Sequence, residues 1–175
     1  MPKQFQFKDD ARSQLMTGID LVARTVGITL GPNGRNVILQ KEFGPPQICS
    51  DGVTIAKEIE LPEPFPNMGA QLLKEAASKT NDDVGDGTTT STILAQAILK
   101  NGFKNIAAGA DPMALKRGID EAVDVITKEL INVSKDVAGD EQIAQVAVLS
   151  AHDEKMGQLI GQVMSKVGKD GVVTV

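Results

Sequence analysis

The sequence predicts a mainly α, multihelical fold that carries one small β-hairpin. Apolar residues recur at helical spacing along much of the 175-residue chain, whereas short β-branched segments are few. Glycines, prolines and capping residues divide the periodic stretches into separate elements. The core is expected to be aliphatic, because tryptophan and tyrosine are absent and only five phenylalanines occur.

The first predicted element is an amphipathic helix. Asp9 or Asp10 is expected to cap it, and it runs to about Ile28 before the turn at residues 31–34. Its apolar stripe consists of Leu15, Ile19, Val22 and Val26.

A hairpin follows the turn. Residues 35–39 and 47–50 are expected to pair across the loop at 43–46, with Cys49 as a small buried residue in a strand. Asp51-Gly52 then precedes a short segment at 53–58.

Two longer helices are predicted in the middle of the chain. Residues 61–66 are punctuated by prolines and are expected to be extended, with a helix from Met68 to about Thr80. The next helix runs to about Ala108 and ends at Gly109, a C′ glycine. Residues expected to face inward on the first of these helices are Leu72, Leu73, Ala76 and Ala77.

The remaining elements are also helical until the last few residues. Asp111-Pro112 supplies an N-cap and an N1 proline, and further helices fit 141–149 and 154–167. Residues 172–175 are expected to form a strand, and because its edge is unpaired we expect the chain to be cut from something longer. The helix after Pro112 is marked by Ala114, Ile119, Val123, Ile126 and Leu130.

Composition excludes several classes of function. The net charge is −5, and no basic stripe for nucleic acid, polybasic anchor or membrane-length apolar run occurs. The N-terminus resembles neither a signal nor a transit peptide, so a cytoplasmic location is expected. A single cysteine excludes an internal disulfide, and surface or capping duty is expected for the only histidine, His152.

The most informative motif is Gly-Asp-Gly-Thr-Thr-Thr at residues 85–90, directly before a helical pattern. A helix N-terminus offers free N–H groups and a positive dipole, which suit a phosphate. Because a carboxylate would repel a phosphate, Asp86 favours a divalent cation between them, as magnesium bridges carboxylates and nucleotide phosphates. The alternative is that Asp86 or Thr88 merely caps the helix.

Taken with two other glycine corners, 29–32 and Asp51-Gly52, this motif resembles the group I chaperonins, the bacterial and organellar sixty-kilodalton heat-shock proteins. The resemblance covers essentially the whole chain. The segments that carry it are residues 29–37, 67–72, 81–98, 112–120 and 167–175.

The resemblance implies that residues 1–134 form the N-terminal half of an equatorial, nucleotide-binding domain. Residues 135–175 would begin the intermediate domain, and the apical domain would be absent. It further implies a stress-response chaperone that hydrolyses ATP, a seven-membered homo-oligomeric ring, non-native client proteins and a co-chaperonin. Coupling would run from the nucleotide loops through the segment after Ser134.

Site residues are implied in the same way. Asp86 would hold Mg²⁺, Asp51 would position or activate water by the γ-phosphate, and Ser150 would lie near the nucleotide. Thr29 and Thr90 would also help bind K⁺. Contacts to ATP are implied for Thr29, Leu30, Gly31, Pro32, Gly87, Thr88, Thr89 and Thr90.

The sequence departs from the family pattern at two places. Ser50 stands where some members have a lysine near the potassium site, so potassium dependence stays open. The chain is one residue shorter than some members around residues 151–153, next to Ser150. The family's principal carboxylate for hydrolysis and most adenine contacts belong to a C-terminal part that this sequence does not contain.

Two other functions are considered. A non-catalytic fragment with an incomplete ATP pocket is the first. A small-molecule kinase is the second, since Asp-Gly-Thr-Thr also resembles the phosphate loop of the actin and sugar-kinase group, but there the motif turns between two strands. The hairpin and the segment at residues 5–8 are candidate subunit contacts, and purely intramolecular roles for the hairpin are equally compatible with the sequence.

Overall fold

The computed structural model describes residues 3–168 and Gly171. Its helices and strands follow the predicted order, and the chain divides into two compact units, residues 1–118 and 119–175. The elements are α1 (Lys8–Gly27), β1 (Val37–Leu39), β2 (Gln47–Cys49), α2 (Gly52–Glu58), α3 (Pro64–Val84), α4 (Thr88–Ala107), α5 (Pro112–Val133), α6 (Asp140–Ala151) and α7 (Glu154–Val167). The predicted domain boundary at residue 134 stays a prediction.

The first unit is organised by a close crossing of α1 and α3. A side chain on Gly18 would collide with the Pro66 carbonyl oxygen, and one on Gly69 would collide with the Leu15 carbonyl oxygen. Glycine at both positions therefore lets the two backbones touch. The surrounding core is aliphatic as predicted, and its fully buried side chains include Ile19, Val22, Val26, Ile55 and Leu73.

Helix α1 confirms the predicted stripe, but the predicted cap is wrong. The N-cap is Phe7, which makes no side-chain cap bond, and Asp9 and Asp10 lie in the first turn. Asp9 instead accepts a hydrogen bond from Arg12 at 2.7 Å. Acidic residues in a first turn still favour the helix through its dipole.

The hairpin is confirmed with shorter strands than predicted. Val37 pairs with Cys49 and Ile38 pairs with Ile48 in an antiparallel register. Cys49 is buried as expected, whereas Ile38 and Ile48 are exposed on the other face. Alternation of side chains across a strand explains this difference.

The connector predicted at 61–66 is confirmed only for residues 61–63, because α3 begins at Pro64 rather than Met68 and ends at Val84 rather than near Thr80. Proline at the first helical position is compatible with a helix, since its missing N–H would have no intrahelical partner there. The predicted inward face is also partly wrong. Leu72 is 62% exposed and Lys74 is 7% exposed, whereas Leu73 and Ala77 are buried as predicted.

Helices α4 and α5 end and begin as the sequence predicts. Gly109 follows the C-cap of α4 with φ +97°, and its N–H donates to the Ile106 carbonyl. Asp111 caps α5 by accepting from the Ala114 N–H at 2.8 Å. None of the residues that the structure describes in α5 is buried, so the apolar residues that mark this helix, among them Val123, Ile126 and Leu130, are exposed to solvent.

The second unit contains a tightly packed pair of helices, α6 and α7. A side chain on Gly157 would collide with the Val148 backbone, and one on Gly161 would lie too close to Ala144. His152 is exposed and stands at the C-cap position of α6 in a left-handed conformation, which confirms the predicted surface or capping duty. The strand predicted at 172–175 lies outside the described residues. No helix in the described ranges is long and apolar enough to cross a membrane.

Candidate functional site

Three chain corners of the first unit meet at the start of α4. The turn after α1 approaches through Thr29, whose hydroxyl lies 3.1 Å from that of Thr89. The start of α2 approaches through Gly52, where an added Cβ would collide with the Thr89 hydroxyl and lie 2.9 Å from the Thr88 hydroxyl and the Thr89 nitrogen. The corners predicted at 29–32, 51–52 and 85–90 are therefore brought together.

The turn after α1 is held by its own backbone. Thr29 Oγ1 donates to the Val26 carbonyl at 2.8 Å, and the Arg35 N–H donates to the Ile28 carbonyl at 2.9 Å. Gly31 has φ +74°, a left-handed conformation that glycine adopts without strain. Leu30, Gly31 and Pro32 are exposed in this turn.

The loop between α3 and α4 contains two left-handed glycines. Gly85 ends α3 with φ +78°, and Gly87 is the N-cap of α4 with φ +78° and ψ +13°. Helix α4 has no side-chain cap, so the alternative that Asp86 or Thr88 caps it is wrong. Asp86 is exposed, and its Oδ1 accepts from the Gly87 N–H at 2.6 Å.

The first turn of α4 presents hydroxyls and backbone donors. Thr88 is buried, Thr89 is half-buried and Thr90 is exposed. The first N–H groups of a helix have no intrahelical partner, and no side-chain cap pairs them here. Of these donors, the N–H of the exposed Thr90 is the most open to an anion. Thr92, one turn later, is buried and donates to the Thr88 carbonyl at 2.7 Å.

Asp51 is the N-cap of α2. Its Oδ2 accepts from the Thr54 N–H at 2.9 Å and from the Thr54 hydroxyl at 2.6 Å. The carboxylate is thus held in one orientation while the residue remains exposed. Sequence reasoning missed Thr54, although an aspartate three residues before a threonine at a helix start is an N-cap signal.

A phosphate carrying a divalent cation fits this donor set. In residues 3–168 and Gly171, no group of three or more His, Cys, Asp and Glu side chains is placed to hold a metal ion by itself. A cation at Asp86 therefore needs further oxygens from phosphate and water, which is how Mg²⁺ is commonly bound with nucleotides. The Thr29 hydroxyl contacts Thr89 rather than Thr90, and the potassium assignment stays a prediction.

Ser150 belongs to the second unit, where it is exposed near the end of α6. Its predicted place near the nucleotide stays a prediction.

A separate groove of about 460 Å³ lies between α1 and α4, and it is lined in part by Arg24 and Ile93. Its central polar groups are already paired, because Gln96 donates to Asp20 at 2.5 Å and Lys100 lies 3.9 Å from Asp20. The open donors at the start of α4 are thus the stronger candidate for a ligand.

Comparison with known proteins identifies the family and supports the fold. Residues 22–170 match the model of the TCP-1/cpn60 chaperonin family. The fold is similar to that of the chaperonin gp146 from the bacteriophage EL 2 (Pseudomonas aeruginosa), with a TM-score of 0.77 and 28% identity over 90% of this chain. That crystal structure was determined in the presence of ATP-BeFx. This chain spans 28% of the length of that protein.

The likeness confirms the predicted fold class, a mainly α, multihelical half of a chaperonin equatorial domain with a small hairpin. The family model covers most of the sequence, including the three corners from Thr29 onward. The chain therefore belongs to the TCP-1/cpn60 chaperonin family.

Proposed function

We propose that this chain is the N-terminal portion of a group I chaperonin subunit, which binds and hydrolyses Mg-ATP to drive the folding of non-native proteins. The observation that carries the proposal is the meeting of Thr29 and Gly52 with the uncapped start of α4. The similar phage chaperonin was crystallised in the presence of ATP-BeFx, which supports a nucleotide as the ligand.

The phosphates would be held by the first turn of α4. Its N–H groups and the exposed hydroxyl of Thr90 are hydrogen-bond donors, and the helix dipole favours negative charge. The Thr89 hydroxyl donates to Thr29, so it would donate to a phosphate only after that bond is exchanged. Gly87 carries no side chain, so the loop backbone can approach a phosphate closely. Leu30, Gly31 and Pro32 would contact the other side of the nucleotide.

Asp86 would hold the magnesium ion. When bound, Mg²⁺ supplies charge neutralisation and a bridge between this carboxylate and the phosphate oxygens. The exposed carboxylate of Asp86 is one such ligand, and its second oxygen is not engaged by the Gly87 N–H.

Asp51 would position or activate the water that attacks the γ-phosphate. The two hydrogen bonds from Thr54 fix its carboxylate. Such positioning is the main source of rate in phosphoryl transfer, where the protein does little covalent chemistry. Asp51 is thus the proposed catalytic residue of this half of the site.

Hydrolysis by this chain alone is proposed to be negligible. The family's principal carboxylate and most adenine contacts belong to the C-terminal part. The alternative, a non-catalytic piece with an incomplete pocket, thus describes the isolated 175 residues better than the parent protein. Residues 1–134 are the proposed equatorial half, and residues 135–175 are the proposed start of the intermediate domain, where Ser150 would approach the nucleotide.

Assembly into a homo-oligomeric ring is part of the proposal. Ile38 and Ile48 form an exposed cross-strand pair, and Phe43 at the hairpin tip is 91% exposed. Phe5 and Phe7 are also largely exposed. Exposed apolar residues beside free strand edges favour pairing between subunits. Seven subunits, a co-chaperonin, potassium binding, a stress-response role and a cytoplasmic location remain proposals that rest on the family resemblance.

The decisive experiment is native mass spectrometry of the chain with and without Mg-ATP. A mass increase of one nucleotide per chain, dependent on Mg²⁺, is expected for the proposed site. A steady-state hydrolysis assay on the same sample is expected to give negligible turnover. Absence of any Mg²⁺-dependent nucleotide binding would contradict the proposed site, and turnover equal to that of the full-length protein would contradict the proposed division of the pocket.

A further inference from the structure

Lys74 is the one charged residue that is buried among the residues that the structure describes. It lies on α3 with 7% exposure, next to the fully buried Leu73. Lysine is almost never this buried unless its ammonium group has a partner, because removing a charge from water is costly. The position therefore calls for a specific role of the ammonium group.

The ammonium group is bound to the far end of α2. Lys74 Nζ donates to the Lys57 carbonyl oxygen at 3.1 Å. Lys57 lies in the last turn of α2, where carbonyl groups lack intrahelical partners and the helix dipole is negative. A cation at this point satisfies a free carbonyl and fixes the helix end.

Helix α2 is short, and it is held mainly by Val53, Ile55 and Ala56, which are buried in the core. With seven residues it is about 10 Å long, and isolated helices of this length are marginal in water. The ion pair near its end, between Lys41 and Glu58, is at the surface and contributes little. The part-buried bond from Lys74 is thus a second directional tie at the C-terminal end of α2, less exposed than the ion pair.

The N-terminal end of α2 lies at the candidate site. Asp51 caps it, and Gly52 lies against Thr88 and Thr89 at the start of α4. Helix α3, which bears Lys74, itself ends at Gly85, directly before Asp86. One helix thus holds α2 in place and also leads into the second acidic residue.

We infer that Lys74 is a positioning residue, which sets Asp51 relative to the phosphate-binding start of α4 by anchoring the opposite end of α2. The inference rests on the proposed function for its effect on nucleotide. Its structural part, the anchoring of α2, is tested without any ligand.

The first test is amide hydrogen exchange by NMR on the Lys74→Met chain, with Lys79→Met as a matched control. Lys79 is an exposed lysine on the same helix. The amides of Thr54 and Ile55, which donate to Asp51, are expected to exchange about tenfold faster in Lys74→Met. Buried amides of α1, such as that of Val22, are expected to keep their rates, and Lys79→Met is expected to change neither.

An unchanged rate in α2, or an equal rise in α1 and α2, would overturn the inference, because the second result describes a general loss of stability. Lys74→Arg keeps a cationic donor and is expected to return the Thr54 and Ile55 rates toward those of the unmodified chain. If Lys74→Met does not fold, the exchange rates of Thr54 and Ile55 in Lys74→Arg decide whether the inference holds. Failure of both variants to fold, measured by circular dichroism, would also overturn the positioning role.

The second test compares Mg-ATP with Mg-ADP by calorimetry. Because Asp51 is proposed to lie by the γ-phosphate, Lys74→Met is expected to weaken Mg-ATP binding about tenfold and Mg-ADP binding much less. Equal weakening for both nucleotides would contradict the inference. If the unmodified chain binds neither nucleotide, the proposed function fails for this chain, and the exchange rates still decide the role of Lys74.

Discussion

The starts of α2 and α4 meet at the candidate site and treat their free N–H groups differently. A side chain caps the start of α2, whereas no side chain caps the start of α4. Helix α2 begins with Asp51, whose carboxylate accepts from the N–H and the hydroxyl of Thr54. Helix α4 begins with Gly87, which has no side chain and makes no cap. Asp86, the nearest carboxylate, accepts from the Gly87 N–H instead.

A capped helix start adds to the stability of the protein, whereas an uncapped start can bind an anion. A capped start is stabilised by its own side chain, by about 1 kcal/mol in typical cases. An uncapped start gives up that stabilisation and keeps its donors for an outside anion. The comparison gives Asp51 a fixed orientation and supports the proposed phosphate-binding role of the start of α4.

The strongest test of the uncapped start is Asp86→Ala in the full-length protein. Loss of the proposed magnesium ligand is expected to reduce Mg²⁺-dependent ATP hydrolysis by at least about a hundredfold, a scale seen when one electrostatic group is removed from an active site. Steady-state turnover at saturating nucleotide measures the effect. Asp83→Ala, an exposed aspartate at the end of α3, is the control, and near-normal turnover in Asp86→Ala would refute the assignment.

Gly52→Ala tests whether the close contact between the start of α2 and the start of α4 contributes to stability. The added Cβ would meet the backbone and hydroxyls at Thr88 and Thr89, so the free energy of unfolding is expected to fall by about 1–3 kcal/mol. Urea denaturation measures it. Gly118→Ala is the matched control, because that helical glycine has open space and alanine there is expected to stabilise by about 0.5–1 kcal/mol. Equal stability of the two variants would contradict the close contact.

Two substitutions of Asp51 separate its role as the cap of α2 from its proposed role in ATP hydrolysis. Asp51→Ala is expected to lower the free energy of unfolding by about 1 kcal/mol, because it removes the cap. Asp51→Asn is expected to keep the stability, since asparagine caps equally well, and to lose ATP hydrolysis in the full-length protein. Thermal unfolding and turnover are measured on both variants. Full turnover in Asp51→Asn would leave Asp51 with a structural role alone.

The smallest expected effect concerns the contact between the turn after α1 and α4. Thr89→Val removes one hydroxyl of the 3.1 Å pair with Thr29, which keeps its bond to the Val26 carbonyl. A loss of about 0.5–1.5 kcal/mol in the free energy of unfolding is expected. Thr90→Val is the control at a neighbouring exposed position, and a loss of the same size there would show that the pair with Thr29 contributes nothing specific.

Much of the fold was predictable from local signals. Asp111 before Pro112, and Gly109 after α4, define boundaries through chemistry that acts within a few residues. The grouping of the three corners was predictable only through the family resemblance, because the contact between Thr29 and Thr89 spans 60 residues. Periodicity carries no information about which loops meet in space.

The inward face of α3 shows a second limit. Periodicity favoured Leu72 and gave no reason to bury Lys74, yet the structure exposes the leucine and buries the lysine. The face is determined by the crossing at Gly69 and by the Lys57 carbonyl, a partner 17 residues away. Tertiary contacts of this kind override a preference that is read along one helix.

The glycine crossing of α1 and α3 has a mechanical consequence. Where Gly18 and Gly69 meet, backbone lies on backbone with no side chains between them to absorb a displacement. The two helices are therefore expected to move as one rigid body. Thr29 follows the end of α1 and Asp86 follows the end of α3, so the same glycine crossing is expected to hold the spacing between these two loops of the candidate site.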